Sequence, residues 1–170
     1  MGYVLILGGA RSGKSDLAGR LGRDSAGPVT FIATATAGDG EMEERIRRHR
    51  NLRPPLWSTV EEAVELRAAI QAVPEDNFVI VDCLTLWVSN LLGLGRSQDE
   101  IRRLAEAAAR ELAQRRGAVV TNEVGLGIVP ANELARTFRD VLGAVNAVFA
   151  ECAERSVLMV AGRALELKPI

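Results

Sequence analysis

The feature that most constrains this chain is a buried-strand pattern that runs directly into a glycine-rich turn. Residues 3–7, YVLIL, form an uninterrupted aromatic and apolar run, as expected for a strand covered on both faces of a parallel sheet. The next eight residues read GGARSGKS and match the pattern G-x-x-x-x-G-K-S. Residues 16–21 continue as a helix, whose positive end would point into the turn. This order predicts a phosphate-binding loop.

Each part of this loop has a physical role. Glycines let successive backbone N–H groups turn towards phosphate oxygens, Lys14 brings a positive charge to the β and γ phosphates, and the Ser15 hydroxyl is a ligand for Mg²⁺. We therefore expect a nucleoside triphosphate to bind here with Mg²⁺; an ordinary glycine-rich turn is the alternative. The candidate nucleotide-binding residues of the loop are Gly8, Gly9, Ala10, Arg11, Ser12, Gly13, Lys14 and Ser15.

Length and composition limit the fold and the partners. A chain of 170 residues with 48% hydrophobic and 25% charged residues predicts one globular domain over residues 1–170. A net charge of −1 argues against general nucleic-acid binding, and no apolar run approaches the length of a membrane span. Cys83 and Cys152 are isolated and predict reduced, buried thiols. A strand pattern beginning at Tyr3 leaves no room for a signal peptide, so we expect a cytoplasmic protein.

Strand and helix patterns alternate along the chain, which predicts an α/β fold with a mainly parallel central sheet. Further strands are predicted over residues 29–34, 78–82, 118–122 and 157–160, and the tail after residue 162 is a candidate edge strand. Helices are predicted over residues 84–92 and 99–116, and from Asn132, a candidate N-cap, through Phe149. A capping-box pattern at residues 58–61 predicts the start of another helix, which runs through Ile70.

Two more candidate site segments lie at the carboxyl ends of predicted strands, where open α/β sheets bind their ligands. Thr34, Ala35 and Thr36 follow the second strand and are candidate nucleotide contacts. Asp82 ends the apolar run 78–81, and in phosphate-loop proteins an acidic residue at this position holds Mg²⁺ or its water shell. The alternative role of Asp82 is to cap the helix that follows.

The only histidine, His49, lies near the end of a helix predicted over residues 41–50. From the residues alone we favour a histidine that interacts with the helix dipole. A neutral imidazole can also act as a nucleophile and form a covalent phosphoramidate. Neighbouring arginines would disfavour protonation of His49 and offset charge on an attacked phosphate, although some of them are expected to form a solvated basic face. These arginines are Arg45, Arg47, Arg48, Arg50 and Arg53.

Motifs along nearly the whole chain resemble one enzyme family. They are GGARSGKS at 8–15, FIATA at 31–35, Glu41-Met42 with Arg45-Ile46 and His49, Arg53-Pro54 with Trp57, DCLT at 82–85, TNEVGLGIVP at 121–130 and FRD at 138–140. In this combination the chain resembles the bifunctional adenosylcobinamide kinase/adenosylcobinamide-phosphate guanylyltransferase family of cobalamin biosynthesis. The resemblance implies a P-loop NTPase fold with a RecA-like sheet and a homotrimer.

The resemblance also implies two reactions and their residues. The first is phosphorylation of adenosylcobinamide by ATP or GTP, and the second is transfer of GMP from GTP to the resulting phosphate. His49 would carry GMP covalently, which overturns the preference for a structural histidine; Lys14 and Asp82 are the other implied catalytic residues. Ser15 and Asp82 would hold Mg²⁺ through the nucleotide, and either Asp82 or Glu123 would deprotonate the alcohol. The further implied nucleotide contacts are Arg50, Asn51, Leu52, Arg53, Glu61 and Asp82.

Two rival functions stay open from the sequence. One is a small-molecule kinase without a transferase step, which would trap no GMP on the protein. The other is a nucleotide-sensing module that binds GTP without turnover of a small substrate. Neither a partner-binding tail nor a basic patch supports the second rival.

Overall fold

A computed structural model describes residues 2–36, 40, 44, 47, 50–51 and 53–169. Its strands are β1 (Tyr3–Gly8), β2 (Val29–Ala33), β3 (Ser58–Glu61), β4 (Phe78–Asp82), β5 (Gly117–Val120), β6 (Arg155–Val160) and β7 (Arg163–Leu167). Its helices are α1 (Lys14–Asp24), α2 (Leu66–Ala72), α3 (Leu84–Gly93), α4 (Gln98–Ala113) and α5 (Glu133–Cys152). In the segment between β2 and β3, the backbone is helical at Gly40, Glu44, Arg47, Arg50 and Asn51.

The strands form one sheet in the order β3-β2-β4-β5-β1-β6-β7. All neighbours pair in parallel except β6 and β7, which are antiparallel. The mainly parallel sheet is therefore confirmed, and so is the edge strand in the tail. Because β5 lies between β1 and β4, its carboxyl end stands between the phosphate loop after β1 and Asp82 at the end of β4.

Side chains of the sheet alternate between two hydrophobic cores. Leu5 of β1 joins the larger core, to which helices α2 to α5 contribute, whereas its neighbour Ile6 joins the smaller core beneath α1. Helix α1 lies very close to the sheet at Gly22, where a Cβ atom would stand 2.9 Å from Cδ1 of Ile80 and 3.0 Å from the Trp57 ring. Within the described residues, α2 to α5 thus pack on one face of the sheet and α1 on the other.

The capping box predicted at residues 58–61 is wrong. These residues form β3, which pairs in parallel with β2, so that Thr59 lies opposite Phe31 and Glu61 opposite Ala33. The helix begins later, at Leu66, and the Glu62 carboxylate accepts hydrogen bonds from the N–H groups of Val64 and Glu65 at 2.8 and 2.9 Å. Pairing with a distant strand decided the conformation here, and a four-residue pattern does not contain that information.

Most other predicted elements are confirmed, with shifts at their ends. Asn132 caps α5, since its Oδ1 accepts a hydrogen bond from the N–H of Ala135 at 2.7 Å. Helix α4 ends at Ala113 rather than residue 116, and the Arg115 guanidinium beyond it donates to the carbonyl of Pro74 at 2.7 Å. Strand β5 ends at Val120 rather than residue 122, although the N–H of Thr121 still donates to the carbonyl of Ile6.

Candidate active site

The phosphate loop, residues 8–15, connects β1 to α1 at the carboxyl edge of the sheet. Its backbone has positive φ at Gly8 (152°), Arg11 (54°) and Gly13 (94°), and a loop that mixes such residues with ordinary ones can turn successive N–H groups towards one anion. Gly8 also has no room for a side chain, because a Cβ atom would stand 2.5 Å from the carbonyl oxygen of Met159. Gly13 is the N-cap of α1 and supplies no side-chain acceptor, which leaves the first turn of α1 suited to an anion.

Two buried polar side chains of this loop support an anion site. Lys14 is 8% exposed, and its ammonium group donates to the carbonyl of Gly9 at 2.6 Å, so its charge is held within the loop. The Ser12 Oγ atom is buried and has no hydrogen-bond partner among the described residues. A buried hydroxyl without a partner is costly, and a phosphate oxygen would satisfy it.

Asp82 comes from β4 and meets the loop at Ser15. The Ser15 hydroxyl donates to Oδ2 of Asp82 at 3.0 Å. The alternative role of Asp82 as a helix cap does not apply, because the N-cap of α3 is Cys83 and makes no side-chain capping hydrogen bond. A hydroxyl beside a carboxylate offers the hard oxygen ligands that Mg²⁺ prefers, so these two residues fit a nucleotide-bound magnesium ion.

Thr34 joins the end of β2 to the end of β4. Its buried hydroxyl accepts a hydrogen bond from the N–H of Cys83 at 2.9 Å and donates to the Cys83 carbonyl at 2.7 Å. Thr34 therefore fixes the backbone directly after Asp82. The Thr36 hydroxyl donates to Oδ1 of Asn90 on α3 at 3.3 Å. Nucleotide contacts from Thr34, Ala35 and Thr36 stay a prediction.

The Cys83 thiol lies within this junction and is half-buried, as is Cys152. Burial, with a further contribution from the Asp82 carboxylate, raises the pKa of the Cys83 thiol to about 11. The thiol is therefore protonated at neutral pH. The sequence predicted buried thiols, whereas the structure shows both cysteines only half-buried.

Arginines that follow the histidine segment reach the same edge of the sheet. The Arg53 guanidinium lies 3.8 Å above the Phe31 ring centroid and donates to the Thr59 hydroxyl at 3.3 Å. Burial lowers the pKa of Arg53, while the negative charges of Asp82 and Glu61 oppose that shift. Arg50 forms an exposed ion pair with Glu61 at 3.4 Å. The structure thus brings Arg50, Arg53 and Glu61 to the side of the site where Asp82 lies.

His49 and Leu52 lie outside the described residues, so the position of the predicted nucleophile relative to the phosphate loop stays a prediction. Asn51 has an exposed, helical backbone. Arg47 forms an ion pair with Glu44 on the same helical stretch, so a carboxylate offsets part of the basic charge that the sequence placed around His49.

Sequence reasoning did not single out two asparagines that hold the edge of the sheet together. Asn146 of α5 is 5% exposed; its Oδ1 accepts from the Thr121 hydroxyl at 2.7 Å and its Nδ2 donates to the carbonyl of Asn122 at 3.0 Å. Asn90 of α3 donates to the carbonyls of Thr34 and Ala63 at 2.8 and 3.1 Å. Each is a polar residue at an apolar position of its helix, which is a signal that the sequence contained.

A second glycine-bearing loop begins at the end of β5, immediately beside the phosphate loop. The N–H of Glu123 donates to the carbonyl of Gly8 at 3.1 Å, and the N–H of Asn122 donates to the Thr85 hydroxyl at 2.8 Å. The Glu123 carboxylate accepts from the N–H of Gly125 within its own loop. We call residues 124–130 the apolar loop, because its large side chains are hydrophobic and exposed.

Comparison with known proteins decides the family. Residues 4–167 match the family model described as cobinamide kinase / cobinamide phosphate guanyltransferase. The chain belongs to this family. The match spans the phosphate loop, Asp82 and the apolar loop, so the resemblance predicted from the motifs is confirmed.

Curated relatives agree with this assignment over nearly their full lengths. The bifunctional adenosylcobalamin biosynthesis protein CobP of Pseudomonas aeruginosa is 46% identical over 170 residues, which cover 96% of each chain. The bifunctional adenosylcobalamin biosynthesis protein CobU of Escherichia coli is 40% identical over 182 residues, covering 97% of this chain and 99% of the relative.

More distant solved structures share the fold. A Pyrococcus horikoshii protein, PH0250, superposes with a TM-score of 0.59 at 10% identity, covering 99% of this chain and 87% of that one. The flagellar accessory protein FlaH of Methanocaldococcus jannaschii superposes with a TM-score of 0.54 at 14% identity, covering 98% of this chain and 78% of that one. At these identities the likeness concerns the fold alone. Together with the strand order, it confirms the predicted P-loop NTPase fold with a RecA-like sheet. Among the described residues, no helix combines the length and the hydrophobicity that crossing a membrane requires.

Proposed function

We propose that this protein phosphorylates adenosylcobinamide and then transfers GMP from GTP to the product, through a covalent intermediate on His49. The observation that carries the proposal is the contact between Ser15 and Asp82, 3.0 Å apart beside Lys14 in a phosphate loop, in a chain that belongs to this family. The first transfer occurs at the γ phosphate of ATP or GTP and the second at the α phosphate of GTP.

In the kinase step the protein acts mainly by positioning and by charge. Lys14 and the loop N–H groups bind the β and γ phosphates, and the Ser12 hydroxyl donates to a phosphate oxygen. Ser15 and Asp82 would hold the Mg²⁺ that arrives with the nucleotide, and this ion would supply positive charge that offsets the charge of the phosphates. The hydroxyl oxygen of adenosylcobinamide forms the new P–O bond as the bond to the nucleoside diphosphate breaks.

Glu123 is our preferred base for the alcohol. It follows β5, which lies between the strand of the phosphate loop and the strand of Asp82, and its N–H contacts Gly8. Asp82 already accepts the Ser15 hydroxyl and fits the magnesium ion better. In this scheme the Glu123 carboxylate exchanges its hydrogen bond with Gly125 for the proton of the alcohol.

In the guanylyl step, a neutral His49 attacks the α phosphate of GTP. A P–N bond forms, the bond between the α and β phosphates breaks, and pyrophosphate leaves. A phosphate oxygen of adenosylcobinamide phosphate then attacks the same phosphorus, which breaks the P–N bond and releases adenosyl-GDP-cobinamide. Arg50 and Arg53, with Asn51, Leu52 and Glu61, would contact the nucleotide during this step.

Label trapping tests the two steps separately. Protein is incubated with GTP that is radiolabelled at the α phosphate and is then denatured. The label retained on the protein and the mass of the protein both report a GMP adduct. We expect one GMP adduct on the wild type and none on His49→Asn, while His49→Asn still phosphorylates adenosylcobinamide. An adduct on His49→Asn would overturn the assignment of the nucleophile. A wild type that acts as a kinase without forming an adduct would favour the simple-kinase rival.

We also propose that the protein is a cytoplasmic homotrimer, as the family resemblance implies. Light scattering coupled to size-exclusion chromatography would give a mass near three times the 18.3 kDa of the chain. A mass of one or two chains at micromolar concentration would contradict this proposal without affecting the two reactions.

A further inference from the structure

Among the described residues, five of the ten exposed large hydrophobic side chains lie between residues 124 and 134. Leu126 is 83% exposed, Ile128 97%, Val129 62% and Leu134, in the first turn of α5, 72%. A cluster of exposed apolar residues often marks a binding surface, because such a cluster lowers the solubility of the protein unless a ligand or partner covers it. We propose that the apolar loop, together with Leu134, is the surface that binds the macrocycle of adenosylcobinamide.

Hydrogen bonds hold the apolar loop at both of its ends. At the start, Asn146 holds Thr121 and Asn122. At the end, the Arg136 guanidinium donates to the carbonyls of Pro130 and Ala131 at 3.0 and 2.7 Å. A loop fixed at both ends presents its side chains in a defined place, which lowers the entropy cost of binding a rigid ligand.

The position of the loop agrees with the kinase reaction. The loop starts beside Gly8 of the phosphate loop, at the end of the strand that separates β1 from β4. The acceptor hydroxyl must approach the γ phosphate from outside the phosphate loop. A macrocycle is too large to enter that loop, so it has to lie on the adjoining surface while its short aminopropanol arm reaches inward.

The chemistry of the loop suits this ligand. A corrin ring carries methyl groups around its rim, and these match the side chains of Leu126, Ile128 and Leu134 by burial of apolar area. The amide groups of its side chains need hydrogen-bond partners, which exposed loop backbone supplies. Space is open at Gly127, where a Cβ atom would meet nothing within 4 Å. This inference rests on the proposed kinase function and adds the location of its acceptor.

A pair of substitutions tests the surface. For the double variant Leu126→Ala/Ile128→Ala we expect a rise of about tenfold or more in KM for adenosylcobinamide, given the apolar area removed. The KM for ATP or GTP should change less than twofold. The matched control is Leu165→Ala, which removes an equally apolar side chain, 61% exposed, from the edge strand β7. We expect the control to behave as the wild type.

Substitutions at Ile128 alone give a finer test. Because this residue is almost fully exposed, they should not affect folding. Ile128→Gln should weaken adenosylcobinamide binding in equilibrium dialysis without nucleotide, whereas Ile128→Leu should bind within twofold of the wild type. An unchanged affinity in Ile128→Gln and in the double variant would overturn the inference. So would a double variant that loses subunits in light scattering, because the loop would then be a contact between copies. Inactivity of the wild type towards adenosylcobinamide would instead refute the proposed function.

Discussion

Two glycine-bearing loops leave neighbouring parallel strands at one edge of the sheet, and they use their residues in opposite ways. The phosphate loop after β1 turns Lys14 and Ser12 inward, where both are buried. The apolar loop after β5 turns Leu126 and Ile128 outward. Glycines in the first loop are required by positive φ and close packing at Gly8, whereas Gly127 in the second faces open space.

This difference shows how one edge can serve two ligands of unlike chemistry. An anion needs converging N–H groups and a cation, so its loop must fold its backbone tightly. A large apolar ligand needs surface, so its loop must project side chains and be fixed only at its ends. The hydrogen bond from Glu123 to Gly8 joins the two loops where the two substrates have to meet.

The largest expected effect comes from removing the positive charge of the phosphate loop, which should affect the kinase rate and not the binding of adenosylcobinamide. Lys14→Ala should lower the kinase rate by about 10³-fold, because a donor aimed at the transferred phosphate is lost. Binding of adenosylcobinamide without nucleotide should stay within twofold of the wild type. The other lysine provides the control: Lys168→Ala removes an exposed cation and should leave the rate unchanged. A large loss of corrinoid binding in Lys14→Ala would mean that the two loops do not act separately.

The next largest effect compares how strongly the backbone of each loop requires a glycine. Gly8→Ala would place a Cβ atom 2.5 Å from the carbonyl oxygen of Met159 and force an alanine to φ 152°, so we expect a loss of about 3 kcal/mol in the free energy of unfolding. Gly127→Ala should change it by less than about 0.5 kcal/mol. Urea denaturation of both variants measures the difference. Equal losses would show that the second loop is as tightly constrained as the first.

The smallest effect concerns the anchoring of the apolar loop. Asn146→Ala leaves the Thr121 hydroxyl and the Asn122 carbonyl without their buried partner, so we expect a loss of about 2 kcal/mol. Hydrogen exchange should accelerate at residues 121–123 and stay unchanged in α1. Glu151→Ala, an exposed site on the same helix, should be nearly neutral in both measurements. Uniform acceleration over the whole sheet would contradict a local anchoring role.

Features encoded by neighbouring residues were predictable from the sequence. Strand β4 and Asp82 were located correctly because five apolar and acidic residues specify a buried strand and its end. The phosphate loop was found because its glycines, lysine and serine act within eight residues. The strand at residues 58–61 was missed because its conformation depends on pairing with β2, far away in sequence.

Parts of the site that depend on strand register were not predictable. Thr34 was expected to contact nucleotide, and only the pairing of β2 with β4 reveals that its hydroxyl holds the Cys83 peptide group. The exposure of Leu126 and Ile128 was also not predictable, for a different reason. In a sequence, apolar residues indicate burial, and only the structure shows that these lie outside both cores.

The contact between the turn after β6 and the phosphate loop has a consequence for biosynthesis. The N–H of Gly162 donates to the carbonyl of Ser12 at 3.0 Å, and Val4 of β1 pairs with Arg155 of β6. A ribosome makes the phosphate loop early and its supporting strand late. A nascent chain that contains the phosphate loop but not yet β6 should therefore fail to retain nucleotide. Nucleotide binding to the nascent chain would then show that β6 has been synthesised.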